Sequence, residues 1–272
     1  MINRIQKIFD KLKNEKKKAF ISFSVAGYPD EESSLEIAKA IADSGSHIHE
    51  ISFPHAEAQA DGPIIQLANI ESIKKGINLE KIISISKKVR EHNSDIGLCL
   101  MGYLNNLFIY GIEKFAKDIS GTIDAVICVD LPSEVIEEKQ LKEALKKEGI
   151  ALIKLITPTT SDDRIKKIVQ DAEGFIYSVN VEGQTGVKSA DINKVNLQVE
   201  NIKKYTNIPV VSGFGIKNEE DVKVFSNSKA DGIVLGSAIV NEIKKKNSET
   251  KDKHIVAKFI NDYCKNLIKK LN

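Results

Sequence analysis

Ile2, Ile5, Phe9 and Leu12 recur at helical spacing near the start of the chain, and the charged run at residues 13–18 marks the end of that helix. From there the pattern alternates. Short apolar runs lie at residues 19–25, 47–53, 96–101, 125–131, 150–156, 174–179, 208–211 and 232–235. The segments between them carry helical periodicity and helix punctuation: Ser133 ahead of a Glu/Lys-rich stretch closing at Gly149, Thr160 with Asp163 as a capping pair, and Asn218-Glu-Glu-Asp221. Buried strands alternating with helices predict βαβ units and a parallel sheet with right-handed crossovers. Eight such units predict a single (β/α)8 TIM barrel with an extra N-terminal helix, one α/β domain over residues 1–272; an open doubly wound sheet is the alternative that the pattern leaves. Residues 244–253 are polar and charged and read as a flexible connection. Beyond them Val256, Phe259, Ile260, Tyr263, Leu267 and Leu271 predict a helix that packs back onto the barrel.

Composition narrows the partners. The net charge is +2 with 29% charged residues, so the surface is mixed in sign and no nucleic-acid partner is implied. No apolar run approaches the ~18 residues of a membrane span, and the lysine-rich start lacks the apolar core of a secretory signal, so no membrane association is expected. Cys99, Cys128 and Cys264 are odd in number and contain no C-x-x-C, which points to a reducing, cytoplasmic setting rather than a disulfide framework or zinc ribbon. Arginine occurs only at Arg4, Arg90 and Arg164, so a bound phosphate would have to be held without guanidinium forks.

In such barrels the site lies where strands end, and three of the later ends are rich in glycine: Gly183-Gln-Thr-Gly186, Gly213-Phe-Gly215 and Gly236-Ser237. Glycines let backbone N–H groups approach a dianion, and Ser237 opens a helix whose positive end favours phosphate. Tight βα turns are the plainer explanation for each glycine alone; their clustering on the sixth to eighth strands favours phosphate.

The second strand carries a carboxylate in an apolar setting. Glu50 and Ser52 share one face of it, while His47, His49 and Ile51 share the other. A carboxyl pointing into a barrel mouth is desolvated, its pKa raised, and suited to general acid–base work; Asp61 follows at loop distance. A structurally paired Glu50 and a turn-capping Asp61 would fit the spacing equally well. The His47-x-His49 pattern invites a metal, but that face is opposite Glu50 and should point toward the outer helices, and His55 falls in the loop as a rim residue, so no metal site is expected.

These motifs resemble the tryptophan synthase alpha subunit family from the leading helix through the helix after Ser237. The resemblance is carried by Phe23-Ser-Val-Ala-Gly-Tyr-Pro29, Glu50, Ala60-Asp-Gly-Pro-Ile-Ile-Gln66, Tyr103-Leu-Asn105, Val129-Asp-Leu-Pro132, Tyr177, Gly183-Gln-Thr-Gly186, Gly213-Phe-Gly-Ile216 and Gly236-Ser-Ala-Ile-Val240. It implies aldol cleavage of indole-3-glycerol phosphate to indole and glyceraldehyde 3-phosphate, with a beta subunit as partner in an alpha2beta2 assembly. By resemblance Glu50 protonates C3 of the indole, Asp61 accepts the indole N–H, and Phe23, Ile65, Tyr103, Tyr177 and Phe214 line the substrate cavity. Gly186, Gly215, Gly236 and Ser237 hold the phosphate, and the loop at residues 183–189 closes over it with Thr185 approaching Asp61. No metal or organic cofactor is implied, because the departing indole itself is the electron sink.

The departures concentrate in one loop. Where the family usually has Phe-Ser-Asp-Pro after Pro54, this chain has His55-Ala-Glu-Ala-Gln59, Ser52 replaces a usual glycine, and Glu71 stands at a usual basic position. In the family that loop touches both substrate and beta subunit, its aspartate pairing with a beta lysine; Glu57 keeps the charge on a longer arm. Two alternatives therefore stay open: an alpha subunit of weakened activity that mainly activates its partner, and another phosphate-binding barrel enzyme.

Overall fold

All eight apolar runs become strand. In a computed structural model, which describes residues 3–179, 191–213, 216 and 218–272, they appear as β1 (Ala19–Val25), β2 (Ile48–Ser52), β3 (Gly97–Gly102), β4 (Ala125–Cys128), β5 (Ala151–Leu152), β6 (Lys154–Ile156), β7 (Ile176–Ser178), β8 (Val210–Ser212) and β9 (Gly232–Leu235). There are nine described strands rather than eight because Ile153 interrupts the fifth run. The order is β5-β4-β3-β2-β1-β9-β8-β7-β6, and every neighbouring pair is parallel. The two ends of that order are consecutive pieces of one run, so the chain itself closes the ring at Ile153, whose N–H still donates to Val126 O at 2.9 Å. An open sheet would end on two unrelated edges; this one is a barrel.

Strand parity separates an inside from an outside. Ile21, Ile48, Cys99, Ile127, Ile153, Phe175, Tyr177 and Val211 pack together within the ring. Ile51, Leu98, Leu100 and Val126 pack outward with helix residues such as Ile82, Val89 and Phe115. On β2, Glu50 has the parity of Ile48 and therefore faces inward.

The leading helix, Arg4–Asn14, starts at Asn3, whose side chain accepts the Ile5 N–H. Its buried Ile5, Phe9 and Leu12 join the inner cluster and plug the barrel floor, each burial contributing about 2 kcal/mol. Beside it Asp124 accepts from Arg4, from Arg90 at 2.8 Å and from the Leu98 N–H at 2.8 Å, tying helix to strands. At the other end of the sequence, the helix Lys253–Leu271 buries Val256, Ile260, Leu267 and Leu271. It lies against the helix Glu31–Asp43.

Three local expectations are corrected. Residues 244–253 are mostly helix, because Ser237–Glu249 is continuous: Lys and Glu are strong helix formers, Ile243 is buried, and Lys245–Glu242 and Lys246–Glu249 pair one turn apart. Only Thr250–Asp252 connect it to the next helix. Ser133 does not cap its helix, which begins at Ile136 after Val135 with no side-chain cap, since Glu134 adopts a left-handed φ of 77°. Thr160 does not cap either: its hydroxyl oxygen accepts the Thr157 N–H at 3.1 Å, and the helix Asp162–Gln170 follows Ser161 uncapped by a side chain. Asn218, by contrast, accepts the Asp221 N–H as the sequence predicts.

Candidate active site

Glu50 sits on the inner face of β2, opposite Phe23 of β1 and Cys99 of β3 in the ladder. It is fully buried, and neither carboxylate oxygen has a hydrogen-bond partner among the described residues. Loss of solvation with nothing to replace it favours the neutral acid, and burial pushes Glu50 up to about 8. A structurally paired glutamate would have a donor; among the described residues this one has none.

Asp61 ends the loop after β2, just before the helix Pro63–Lys74. Its Oδ2 accepts from the Tyr103 hydroxyl at 3.3 Å and from Asn69 Nδ2 at 3.4 Å. Burial pushes Asp61 up to about 6, while those two donors work in the opposite direction. It shares a small cavity with Phe23, Ser52, Phe53, Asn69, Met101, Gly102, Tyr103 and Val129. The Tyr177 hydroxyl is held well above its usual pKa range by burial first, and then by the nearby charges of Glu50 and Asp61. Glu50, Asp61 and Tyr177 thus occupy one electrostatic neighbourhood at the strand ends.

Close approach dictates Gly213, and Gly236 marks a neighbourhood. A Cβ on Gly213 would meet the Tyr177 hydroxyl at 2.3 Å, so only glycine lets that ring lie across the strand end. A Cβ on Gly236 would meet the Phe23 ring at 3.4 Å and Ile65 Cδ1 at 3.7 Å, which places Gly236 beside two of the predicted cavity residues. Gly236 precedes the helix Ser237–Glu249 with no side-chain cap, so its first-turn N–H groups have no capping side chain. Thr185, Gly186, Phe214 and Gly215, with the loop at residues 183–189, lie outside the described residues.

The histidines fall where parity sends them. His47 Nδ1 accepts the Phe20 N–H at 3.0 Å, and His49 Nε2 is 2.9 Å from Ser24 Oγ on the outer side of the sheet. Burial lowers His49 to about 3, which keeps its ring neutral. His55 stacks on Tyr103 with ring centroids 4.7 Å apart, and its Nδ1 lies 3.0 Å from Asn106 Oδ1. Among the described residues no three His, Cys, Asp or Glu side chains gather as a metal site would require.

Sequence reading missed Asn69 and Met101 as cavity residues. Asn69 is 2% exposed on a helix whose neighbouring buried positions are Ala68 and Ser72. A lone amide on the buried stripe, eight residues after a candidate aspartate, was the available signal. Met101 has the inward parity of Cys99 at the end of β3 and could have been found from the same alternation that placed Glu50.

A closed barrel with one desolvated carboxyl on the inner face of β2 and a second in a small cavity at the strand ends defines a (β/α)8-barrel enzyme with titratable groups at its mouth. Comparison with known proteins gives the family. The tryptophan synthase alpha chain family matches residues 9–269. A tryptophan synthase alpha chain of Phenylobacterium zucineum (strain HLK1) is 40% identical over 241 residues, covering 88% of this chain and 86% of that one. The crystal structure of tryptophan synthase subunit alpha from Legionella pneumophila str. Paris superposes with a TM-score of 0.89 at 28% identity, covering 100% and 99% of the two chains. A structure from Aquifex aeolicus VF5 gives 0.85 at 33% identity over 99% of each chain. The chain belongs to the tryptophan synthase alpha chain family. Its activity is the lyase cleavage of indole-3-glycerol phosphate to indole and glyceraldehyde 3-phosphate in tryptophan biosynthesis. No helix among the described residues is long and apolar enough to cross a membrane.

Proposed function

We propose that Glu50 is the proton donor and Asp61 the N–H acceptor of this cleavage, in a single-domain alpha subunit working in the cytoplasm. The observation that carries this reading is the Glu50 carboxyl, buried without a partner among the described residues and pushed up to about 8, which keeps a proton available at neutral pH inside the barrel. Protonation of indole C3 makes the ring a leaving group. The bond from C3 to the first glycerol carbon breaks, its electron pair returns to the ring, and the hydroxyl on that carbon loses its proton to the Glu50 carboxylate as its oxygen becomes the aldehyde. Asp61, ionised and aimed into the cavity, accepts the indole N–H and stabilises positive charge as it develops there. Phe23, Ile65, Tyr103, Tyr177 and Phe214 enclose the ring. The phosphate rests on Gly186, Gly215, Gly236 and Ser237, the last two supplying helix N-terminal N–H groups.

The beta subunit is proposed to dock on the rim formed by residues 54–60 and the helix Leu104–Tyr110. There Phe108 and Ile109 are 47% and 80% exposed, and the His55–Asn106 contact joins loop to helix. Glu57, exposed on that loop, is the carboxylate available for a partner lysine.

The test is turnover of indole-3-glycerol phosphate, alone and with a tryptophan synthase beta subunit. Glu50→Gln and Asp61→Asn are each expected to lower kcat by 10²-fold or more, on the order of general acid–base contributions. Full activity in Glu50→Gln would overturn the assignment. An unsubstituted chain that turns over nothing, with or without beta, yet activates the beta reaction, would instead favour the weakened regulatory subunit.

A further inference from the structure

Ser52 is an inward-facing hydroxyl with no structural employment. It ends β2 two residues beyond Glu50 on the same face, and is 6% exposed. Its Oγ is buried without a hydrogen-bond partner among the described residues, and the residue lines the cavity that contains Asp61. A buried hydroxyl left unpaired costs stability, and a strand gains nothing from serine that alanine would not supply. Among the neighbouring polar groups, Asp61 Oδ2 takes the Tyr103 and Asn69 donors and the Tyr103 hydroxyl also accepts the Ala60 N–H at 3.1 Å, while Asn69 Oδ1, an acceptor that cannot donate, is like Ser52 Oγ without a partner among the described residues. The remaining walls, Phe23, Phe53, Met101 and Val129, are apolar.

We infer that Ser52 is a substrate-contacting residue whose Oγ, with Asp61, accepts the N–H edge of the indole ring. The inference rests on the reading above that Asp61 receives that N–H. A second acceptor beside the carboxylate fixes the ring in its plane and makes the cavity selective for a ring that bears a donor, since a ring without one leaves the Ser52 hydroxyl buried and unpaired.

The test is equilibrium binding of a non-cleavable 3-alkylindole phosphate and of its N-methyl counterpart to the unsubstituted protein, Ser52→Ala and Asp61→Asn, with the Tm of each variant. Ser52→Ala is expected to weaken the N–H ligand about fivefold, to leave the N-methyl ligand unchanged, and to hold or raise Tm, because an unpaired hydroxyl is removed. Equal weakening of both ligands, no weakening of either, or a lowered Tm would overturn the contact. Asp61→Asn separates this from the underlying reading: if that variant does not reduce the preference for the N–H ligand, the placement of the ring against Asp61 fails. If it does while Ser52→Ala has no effect, only the serine contact fails.

Discussion

The Tyr103 hydroxyl donates to Asp61 Oδ2 at 3.3 Å while accepting the Ala60 N–H at 3.1 Å, so one side chain from the end of β3 fixes both the carboxylate and the backbone just before it. Tyr103→Phe keeps the ring, and with it the stack of His55, but removes both hydrogen bonds. A hydrogen bond to a charged group contributes about 1.5–3 kcal/mol, so kcat/KM for indole-3-glycerol phosphate is expected to fall roughly tenfold or more. The Tyr103 donor also works against the upward push of burial on Asp61. Its loss therefore raises the Asp61 pKa further, and the acidic limb of the pH profile moves to higher pH in the variant. Steady-state kinetics across pH would check both; an unmoved limb would show that Tyr103 does not set the Asp61 charge.

The two carboxyls define a pH window. Asp61 must be ionised to accept the N–H, and burial places its transition at about 6; Glu50 must be protonated to donate, and burial places its transition at about 8. Activity is expected to rise through the first and fall through the second, giving a bell in kcat/KM. Stability carries the same signature. Glu50 has a folded pKa raised above its ordinary 4.5, so at low pH the acid is neutral in both states and costs nothing in charge burial. As pH rises past 4.5 the unfolded chain releases the proton first, and stability is lost progressively until the folded transition at about 8. Glu50→Gln should match the unsubstituted Tm near pH 4.5 and exceed it increasingly up to about pH 8, which differential scanning calorimetry at a series of pH values would measure. A constant Tm difference across that range would mean that Glu50 is not held neutral by burial.

Much of this was legible because two periodicities do the coding. Period-two alternation predicts Glu50 inward and His49 outward, and both side chains take those faces of β2. Eight apolar runs separated by helical segments gave the barrel, with only the break at Ile153 unforeseen, since a local irregularity in a buried strand leaves no mark in hydrophobicity. The helix over residues 244–249 was misread because charge alone looks like a linker. What decides is the buried Ile243 and the packing of Lys246 over the Phe259 ring at 5.3 Å, contacts made by an element that comes later in the chain. The Tyr103–Asp61 bond is invisible in the sequence for the same reason: which polar atoms meet across a loop is a property of tertiary placement, not of spacing.

Lys154 and Glu138 were not singled out by any motif, yet they form a buried ion pair. Lys154 is on β6 and Glu138 on the helix Ile136–Lys147, with side chains 6% and 8% exposed. Both charges have left water, so their attraction largely offsets a desolvation penalty instead of adding net stability. Removing one partner is a different matter: Glu138→Ala strands an ammonium in a nearly dry site and is expected to destabilise the fold by about 3–5 kcal/mol. Replacing both with apolar residues of similar length, Lys154→Met with Glu138→Leu, should restore most of that loss, because neither charge then needs compensation. Urea unfolding of the two single variants and the double variant gives the comparison. If the double variant is as unstable as Glu138→Ala alone, the pair contributes through packing or through its hydrogen bond in a way that charge compensation does not describe. Turnover should be unaffected in the double variant at temperatures where it is folded, since neither side chain lines the cavity that holds Asp61.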